Sequence, residues 1–421
     1  MVKCMPQIHA REAAFLAVYS FLKEGKFLSE SLENWKQKES PSSLDFSFAQ
    51  DIAYGSVRMA LALDYIAKST AERQSLSLKV KERSLLRTAI YQAAFQRSTP
   101  LYAIGQESGN LAKKYCHPTF SSFLNALLRK LGSGIPPLPE GNSLQDLSIR
   151  YSYPLPLVEA FLDDFGLEKC KQMLELGNHP APTMVRIRPH VSLTEDEKEK
   201  LTCIPELSPH LACIKETGTL SIFSQSPHTY IQNGTPYLLM EHLRQSAENP
   251  QTILDLCASP GGKLLLAHDF YPSATLFAND VSERKLKTLQ ENCHKYQLNV
   301  SLSCSKGEFF ASDRRFDLII VDAPCSNTGV LNKRPEARWR FSPESLKQLE
   351  ETQLQLLAHA RTLLSDKGEI WYLTCSILSQ ENEKLAQKIS QKSGLFMRTS
   401  QTILPNALGL DGGFACALRP Y

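Results

Sequence analysis

The sequence predicts a multidomain chain: an all-α N-terminal domain, a small α+β domain, and a doubly wound, Rossmann-like α/β domain at the C-terminus. Three observations carry this. Residues 9–131 are poor in glycine and apolar at helical spacing, as in Ala13, Leu16, Ala17 and Phe21 and again in Leu85, Leu86, Ile90 and Phe95. The stretch GSGIPPLPEGNS at 132–143 cannot continue a helix through its prolines and glycines. After 250, strand-like and helix-like runs alternate, the pattern of a parallel sheet with crossover helices. The expected boundaries are 1–131 for the helical domain, 132–144 for a linker, 145–250 for the α+β domain and 251–421 for the α/β domain.

Within 145–250 the stretch LPLVEAFLDDFGLEKCKQMLELG reads as helix, and TMVRIRP and LSIFS read as short strands. Beyond 250 the strands are TILDLC, TLFAND, SLSC, FDLIIVD and EIWYLTC, with helices at 283–297 and 343–365. The runs 395–403 and 414–419 are expected to close the sheet as an antiparallel edge pair.

Composition excludes several classes. With 42% hydrophobic and 22% charged residues, a chain of 421 residues has the makeup of a folded protein. The balance of 47 Lys+Arg against 44 Asp+Glu gives +3, so any nucleic-acid partner must be met by local basic patches. Eleven cysteines without a CxxC pair do not form a zinc site or a disulfide framework; they read as reduced, cytoplasmic thiols, and no metal is expected. The start MVKCMPQIHAREAAFL lacks a continuous apolar core, which predicts no signal peptide, and no apolar run approaches the ~20 residues that span a bilayer.

The turn after TILDLC reads Cys257-Ala258-Ser259-Pro260-Gly261-Gly262-Lys263. Adjacent glycines between a parallel strand and its helix let backbone amides approach a ligand. The turn matches neither a Walker loop nor GxGxxG, which leaves a small nucleoside ligand. Eighteen residues past Gly262, TLFAND ends in Asp280, suited to both hydroxyls of a ribose, although an acid there also serves as a helix cap.

FDLIIVD ends in Asp322-Ala323-Pro324-Cys325, and EIWYLTC ends in Cys375. Both cysteines fall on the rim that carries the cofactor turn. A cysteine at a strand end is ordinarily an inert buried thiol; two beside an acid suit alkylation at carbon 5 of a pyrimidine. That carbon becomes nucleophilic once a thiolate adds to carbon 6, and Asp322 suits holding N3 and the exocyclic amine. The residues themselves do not rank the two thiols.

LDLCASPGGK, the FAND strand end, VDAPCSNTG and YLTCSILSQENE resemble, in order, the motifs of the RsmB/Sun (NOL1/NOP2/Sun) RNA 5-methylcytosine methyltransferases. HAREAAFLAVYSFL, DIAYGSVR, ERSLLRTAIYQ and SSFLNALLRKL resemble the NusB-like RNA-binding domain of bacterial RsmB, so the likeness covers nearly the whole chain. The resemblance implies Cys375 as the nucleophile, Cys325 as an aid to product release, and an S-adenosylmethionine pocket made by Cys257, Ala258, Ser259, Pro260, Gly261, Gly262, Lys263, Asp280 and Asp322. It implies a cytosine of small-subunit ribosomal RNA as substrate; separately, the chain is expected to be a cytoplasmic monomer. One departure stands out: where the family has an acid after the third strand, this chain has Ser305-Lys306-Gly307-Glu308, and a lysine cannot accept the hydrogen bond of an adenine amine.

For RNA, the segment NKRPEARWR supplies Lys333, Arg334, Arg338 and Arg340 with Trp339 among them, cations for phosphate and a ring for stacking. Arg186 and Arg188 alternate to one side and resemble the family's arginine strand. The rival readings are a catalytically silent RNA-binding or assembly factor, a relative acting on tRNA, and a nucleotide-dependent oxidoreductase, the last disfavoured by the missing GxGxxG.

Overall fold

The computed structural model describes residues 8–96, 99–189, 191–245 and 247–421. Residues 1–7, on which the expected absence of a signal peptide partly rests, lie outside them. The chain forms two compact units. One holds the described residues up to Leu162 together with Arg338–Arg340, and the other holds Asp163–Ala337 and Phe341–Tyr421.

The first unit is all helical, from Ala10–Glu24 to Leu144–Tyr151. Its helices start where the sequence supplies caps: Ser42 accepts the Asp45 amide, and His117 precedes Pro118 in the first turn. The predicted apolar stripes face inward except at Phe95, which ends its helix 38% exposed. Ala13, Ala17 and Phe21 join one core with Trp35 and Ile52, while Leu85, Leu86 and Ile90 join another with Phe15 and Leu124. Residues 132–143 contain no helix or strand, but the unit continues beyond them. The helix Leu144–Tyr151 packs on Ala60–Ala71, and Ser152 Oγ accepts the Leu61 amide at 3.0 Å.

In the second unit, β1 (Met184–Ile187), β2 (Leu201–Cys203), β3 (Leu211–Ile214) and β4 (Thr229–Ile231) form an antiparallel sheet in the order β2-β3-β1-β4. LSIFS, expected as a strand, is instead the short helix Leu220–Gln225. Only Phe223 of that run is buried, so its apolar content is not the two-sided burial of a core strand.

The large sheet is made of β5 (Thr252–Asp255), β6 (Thr275–Asp280), β7 (Val300–Cys304), β8 (Phe316–Asp322), β9 (Leu364–Thr374), β10 (Leu395–Ile403) and β11 (Gly413–Pro420), in the order β10-β11-β9-β8-β5-β6-β7. Strands β5 to β9 run parallel, and β11 enters antiparallel between β9 and β10, as the edge-pair expectation has it. Side chains alternate between two cores. Ile253, Leu318, Ile320, Trp371 and Leu373 meet the helices Gly234–Arg244 and Gly262–Phe270 on one face. Leu254, Ile319, Val321, Ile370 and Tyr372 meet Pro343–Leu363 and Glu383–Ser393 on the other. The order reverses at β5, so the carboxyl ends of β5, β6, β8 and β9 frame the crevice where such sheets bind ligands. Among the described residues, no helix is long and apolar enough to cross a membrane.

Candidate active site

The turn after β5 is shaped for close approach to a ligand. Gly261 has φ +102°, a left-handed conformation that a side chain strains, and a Cβ on it would lie 2.6 Å from Leu289. Gly262 opens the next helix, and a Cβ there would press on the Tyr230 ring at 2.9 Å. Asp280 lashes this turn to the end of β6: its carboxylate accepts the amides of Ser259 and Ser282, each at 3.2 Å. Asp280 thus stands beside the turn; it is not the N-cap of the helix Glu283–Lys295, which is Ser282, although its carboxylate accepts that residue's amide.

Acids crowd this rim. Asp255, Asp322, Asp280 and Glu308 all push the Cys257 thiol upward, after burial itself. Asp255, 1% exposed at the end of β5, is pushed up to about 8 by burial and by the neighbouring charge of Asp322, against the pull of Lys263. Lys263 Nζ lies 2.6 Å from Asp322 Oδ2. Burial pulls the Lys263 ammonium down, but Asp322, Cys375 and Asp255 outweigh it, so it is held protonated above its ordinary range. A cationic nucleoside fits this donor set: the two glycines keep the cradle clear of side chains, and the carboxylates oppose a positive charge. Lys306 is exposed, while Gly307 is buried and Glu308 is half-buried with its charge reaching Cys257. Of that segment's charged residues, the acid is the more buried and the lysine the more exposed.

The two thiols meet. Cys325 Sγ and Cys375 Sγ are 3.1 Å apart, brought together because β8 and β9 are adjacent and parallel, with Asp322 paired to Leu373. Cys325 is 8% exposed and Cys375 is half-buried. The Cys375 thiol donates to Asn327 Oδ1 at 3.3 Å, and Asn327, at φ +60°, also donates to the Cys325 carbonyl. The Cys325 thiol is held far above its ordinary range by its hydrogen bond with Cys375, by burial and by the charges of Cys375 and Glu381. Sequence reasoning passed over Asn327, Asp255 and Glu381. Asp255 carried a signal, as a strand-end acid in TILDLC; the others act through loop geometry that residue spacing does not encode.

The expected RNA-binding residues divide. Arg334 is exposed and donates to Asn327 Oδ1 at 3.0 Å, and Lys333 pairs with Asp411 at 2.7 Å while keeping 39% of its side chain exposed. Arg338 is fully buried in the first unit, its guanidinium 3.8 Å from the Tyr153 ring centroid and bonded to the Arg58 and Ser152 carbonyls. Trp339 donates to the Val57 carbonyl, and Arg340 to that of Gly25 while lying over Phe27. The expectation that Arg338 and Trp339 line an RNA channel is thus corrected: one is sealed from water, and the other has spent its ring in a hydrophobic core. Arg186 and Arg188 do point to one side, but toward Asp269, with Arg186 at 2.7 Å and 1% exposed. They brace the far end of the helix that begins at the glycine turn, because a buried carboxylate needs a cation.

Residues 243–418 match the family model described as 16S rRNA methyltransferase RsmB/F, and residues 8–133 match the NusB family. Similar proteins include the ribosomal RNA small subunit methyltransferase B of Shewanella oneidensis, 29% identical over 97% of this chain and 95% of that protein. The probable methyltransferase of that name from Bacillus subtilis is 26% identical over 88% and 89%. Among solved structures, PH0851 superposes with a TM-score of 0.78 over 97% of this chain and 98% of its own, at 20% identity. NSun6 from Pyrococcus horikoshii with SFG gives 0.55 over 64% and 98%, at 17% identity; both likenesses concern the fold.

Proposed function

We propose, from the RsmB/F methyltransferase match over residues 243–418 and the NusB match over 8–133, that the chain is an RsmB/Sun-type methyltransferase that methylates carbon 5 of a cytosine in small-subunit ribosomal RNA through a covalent bond between Cys375 and the base. S-adenosylmethionine, when bound between the glycine turn, Asp280 and the rim acids, supplies an electrophilic methyl group. Asp280 would take the ribose hydroxyls, and Glu308 would stand for the acid that Lys306 does not provide.

The single observation that carries the reading is the thiol pair at 3.1 Å beside the Lys263–Asp322 ion pair. Cys375, half-buried and within the field of a protonated lysine, suits addition to carbon 6. Cys325, buried and held as a thiol, suits donation to the departing sulfur. Asp322 has 32% of its side chain exposed, so it can accept the exocyclic amine of the base, and N3 once that atom takes a proton, while Lys263 neutralises its far oxygen. The target base must leave any stack to arrive there. We assign phosphate contacts to Lys333 and Arg334, which are exposed near the loop that carries Cys325. We further place the enzyme in the cytoplasm as a monomer.

Undermethylated ribosomal RNA, tRNA and labelled S-adenosylmethionine test this. Label is expected in ribosomal RNA as 5-methylcytosine. Cys375→Ala forms no covalent RNA complex, whereas Cys325→Ala accumulates one on denaturing gels. An adduct that survives Cys375→Ala and disappears with Cys325→Ala refutes the assignment. Label in tRNA alone refutes the substrate, and absence of cofactor binding returns the chain to a silent assembly factor.

A further inference from the structure

Glu381 is a fully buried carboxylate that the proposed chemistry leaves without a task. It follows β9 by seven residues in sequence, yet its side chain is spent on the loop that carries Cys325. Oε1 accepts the Ser326 amide at 2.9 Å and Gln353 Nε2 at 3.1 Å, and Oε2 accepts the Ser326 hydroxyl. The same Gln353 amide donates to the Pro324 carbonyl at 2.9 Å. Cys325 is therefore held from both sides by one carboxylate, directly through Ser326 and through Gln353 at Pro324. The Glu381 main chain is fixed in turn, because its carbonyl accepts the Tyr372 hydroxyl at 2.7 Å from within β9. Burying a carboxylate is costly unless every lone pair is used, and here the partners converge on the two residues that flank one thiol.

We propose that Glu381 is a positioning residue for product release: it fixes the Pro324–Ser326 segment so that the Cys325 thiol stays in hydrogen-bonding contact with Cys375. This rests on the covalent reading above. In the release step water or hydroxide takes the carbon 5 proton, and the C–H electron pair becomes the C5=C6 bond. The C6–S pair then returns to Cys375, leaving a thiolate and the methylated base. A thiol donor about 3 Å away lowers the energy of that developing thiolate. If the loop relaxes, the donor moves off, addition and methyl transfer proceed, and elimination slows.

The test uses the full chain, an undermethylated ribosomal RNA transcript and S-adenosylmethionine. It compares wild type, Cys325→Ala, Glu381→Ala and the isosteric Glu381→Gln by denaturing gel, single-turnover methyl incorporation and binding of S-adenosylhomocysteine. Glu381→Ala is expected to accumulate the covalent complex as Cys325→Ala does, with multiple turnover down about tenfold, the size of one lost charge-assisted hydrogen bond. Single-turnover methylation and S-adenosylhomocysteine affinity stay near wild type, and Glu381→Gln traps less. If Glu381→Ala does not fold, Glu381→Gln decides, with an adduct above the wild-type level expected. The inference is overturned if Cys325→Ala traps RNA but neither Glu381 variant does, which leaves the covalent reading intact. It is also overturned if the Glu381 variants lose cofactor binding as much as release, which marks a general scaffold. Absence of trapping by Cys325→Ala overturns the covalent reading itself and this inference with it.

Discussion

Asp255 sits where one sheet position serves two ends: it closes β5 in the core and opens the glycine turn. Its carboxyl, pushed up to about 8 by burial and Asp322, sets a pH dependence with a definite sign. In the unfolded chain an aspartate gives up its proton near pH ~4. Between about 4 and about 8 the folded chain therefore binds more protons than the unfolded one, and stability falls as pH rises through that window. Melting temperatures measured from pH 5 to 9 should decline for the wild type, and the decline should be shallower for Asp255→Asn. Parallel curves would mean that the charge of Asp255 is relieved by the surrounding loop instead. At this scale the sequence was informative about chemistry and poor about ranking. The motifs pointed to Cys325 and Cys375 together, and burial then separated the sealed thiol from the half-buried one. Glu381 could not be read from spacing, because its partners Ser326 and Gln353 lie on a loop and a helix far from it in the chain.

Among the elements, the alternating run after 250 was legible because parallel strands buried on both faces leave short apolar runs such as LIIV at 318–321, flanked by Asp317 and Asp322. Of the antiparallel pair only β11 carries that signal, buried from Gly413 to Leu418; β10 is a half-buried edge strand, LFMRTSQTI. LSIFS was not legible, since five residues cannot tell a strand from a helical turn. The alternation of Arg186 and Arg188 was read correctly as one face, but what the face meets is a tertiary fact: Asp269, whose side chain is 3% exposed. This contact joins β1 to the helix Gly262–Phe270 and so steadies the turn at that helix's other end. Asp269→Asn should strand two arginine charges around a neutral amide, at a cost of about 3–5 kcal/mol for a broken buried pair. Chemical denaturation reads this directly. A loss below about 1 kcal/mol, the range of exposed pairs, would show that water reaches the arginines.

For the whole molecule, the segment 332–340 illustrates why a charge run does not reveal its own use. Its residues divide between the two compact units: Lys333 and Arg334 stay in the methyltransferase unit, and Arg338, Trp339 and Arg340 belong to the helical one. Burial pulls the Arg338 guanidinium down to about 10, which still leaves it charged at neutral pH, and the Tyr153 ring and two main-chain carbonyls replace its water. Arg338→Ala removes that packing and leaves the carbonyls of Arg58 and Ser152 short of a donor, so it should cost about 2–3 kcal/mol of stability. Lys333→Ala with Arg334→Ala should cost less stability but not none: Lys333 is 39% exposed, yet its partner Asp411, at 9%, is a buried carboxylate that loses its cation. On RNA the order reverses. If both residues touch phosphates, the double variant should weaken binding and lower the slope of log affinity against log salt by about 2, roughly one per contact. Arg338→Ala, assayed below its melting temperature, should keep the wild-type slope. A lowered slope for Arg338→Ala with unaltered melting would put that guanidinium on the RNA and not in the core, and an unchanged slope for the double variant would remove Lys333 and Arg334 from the binding face.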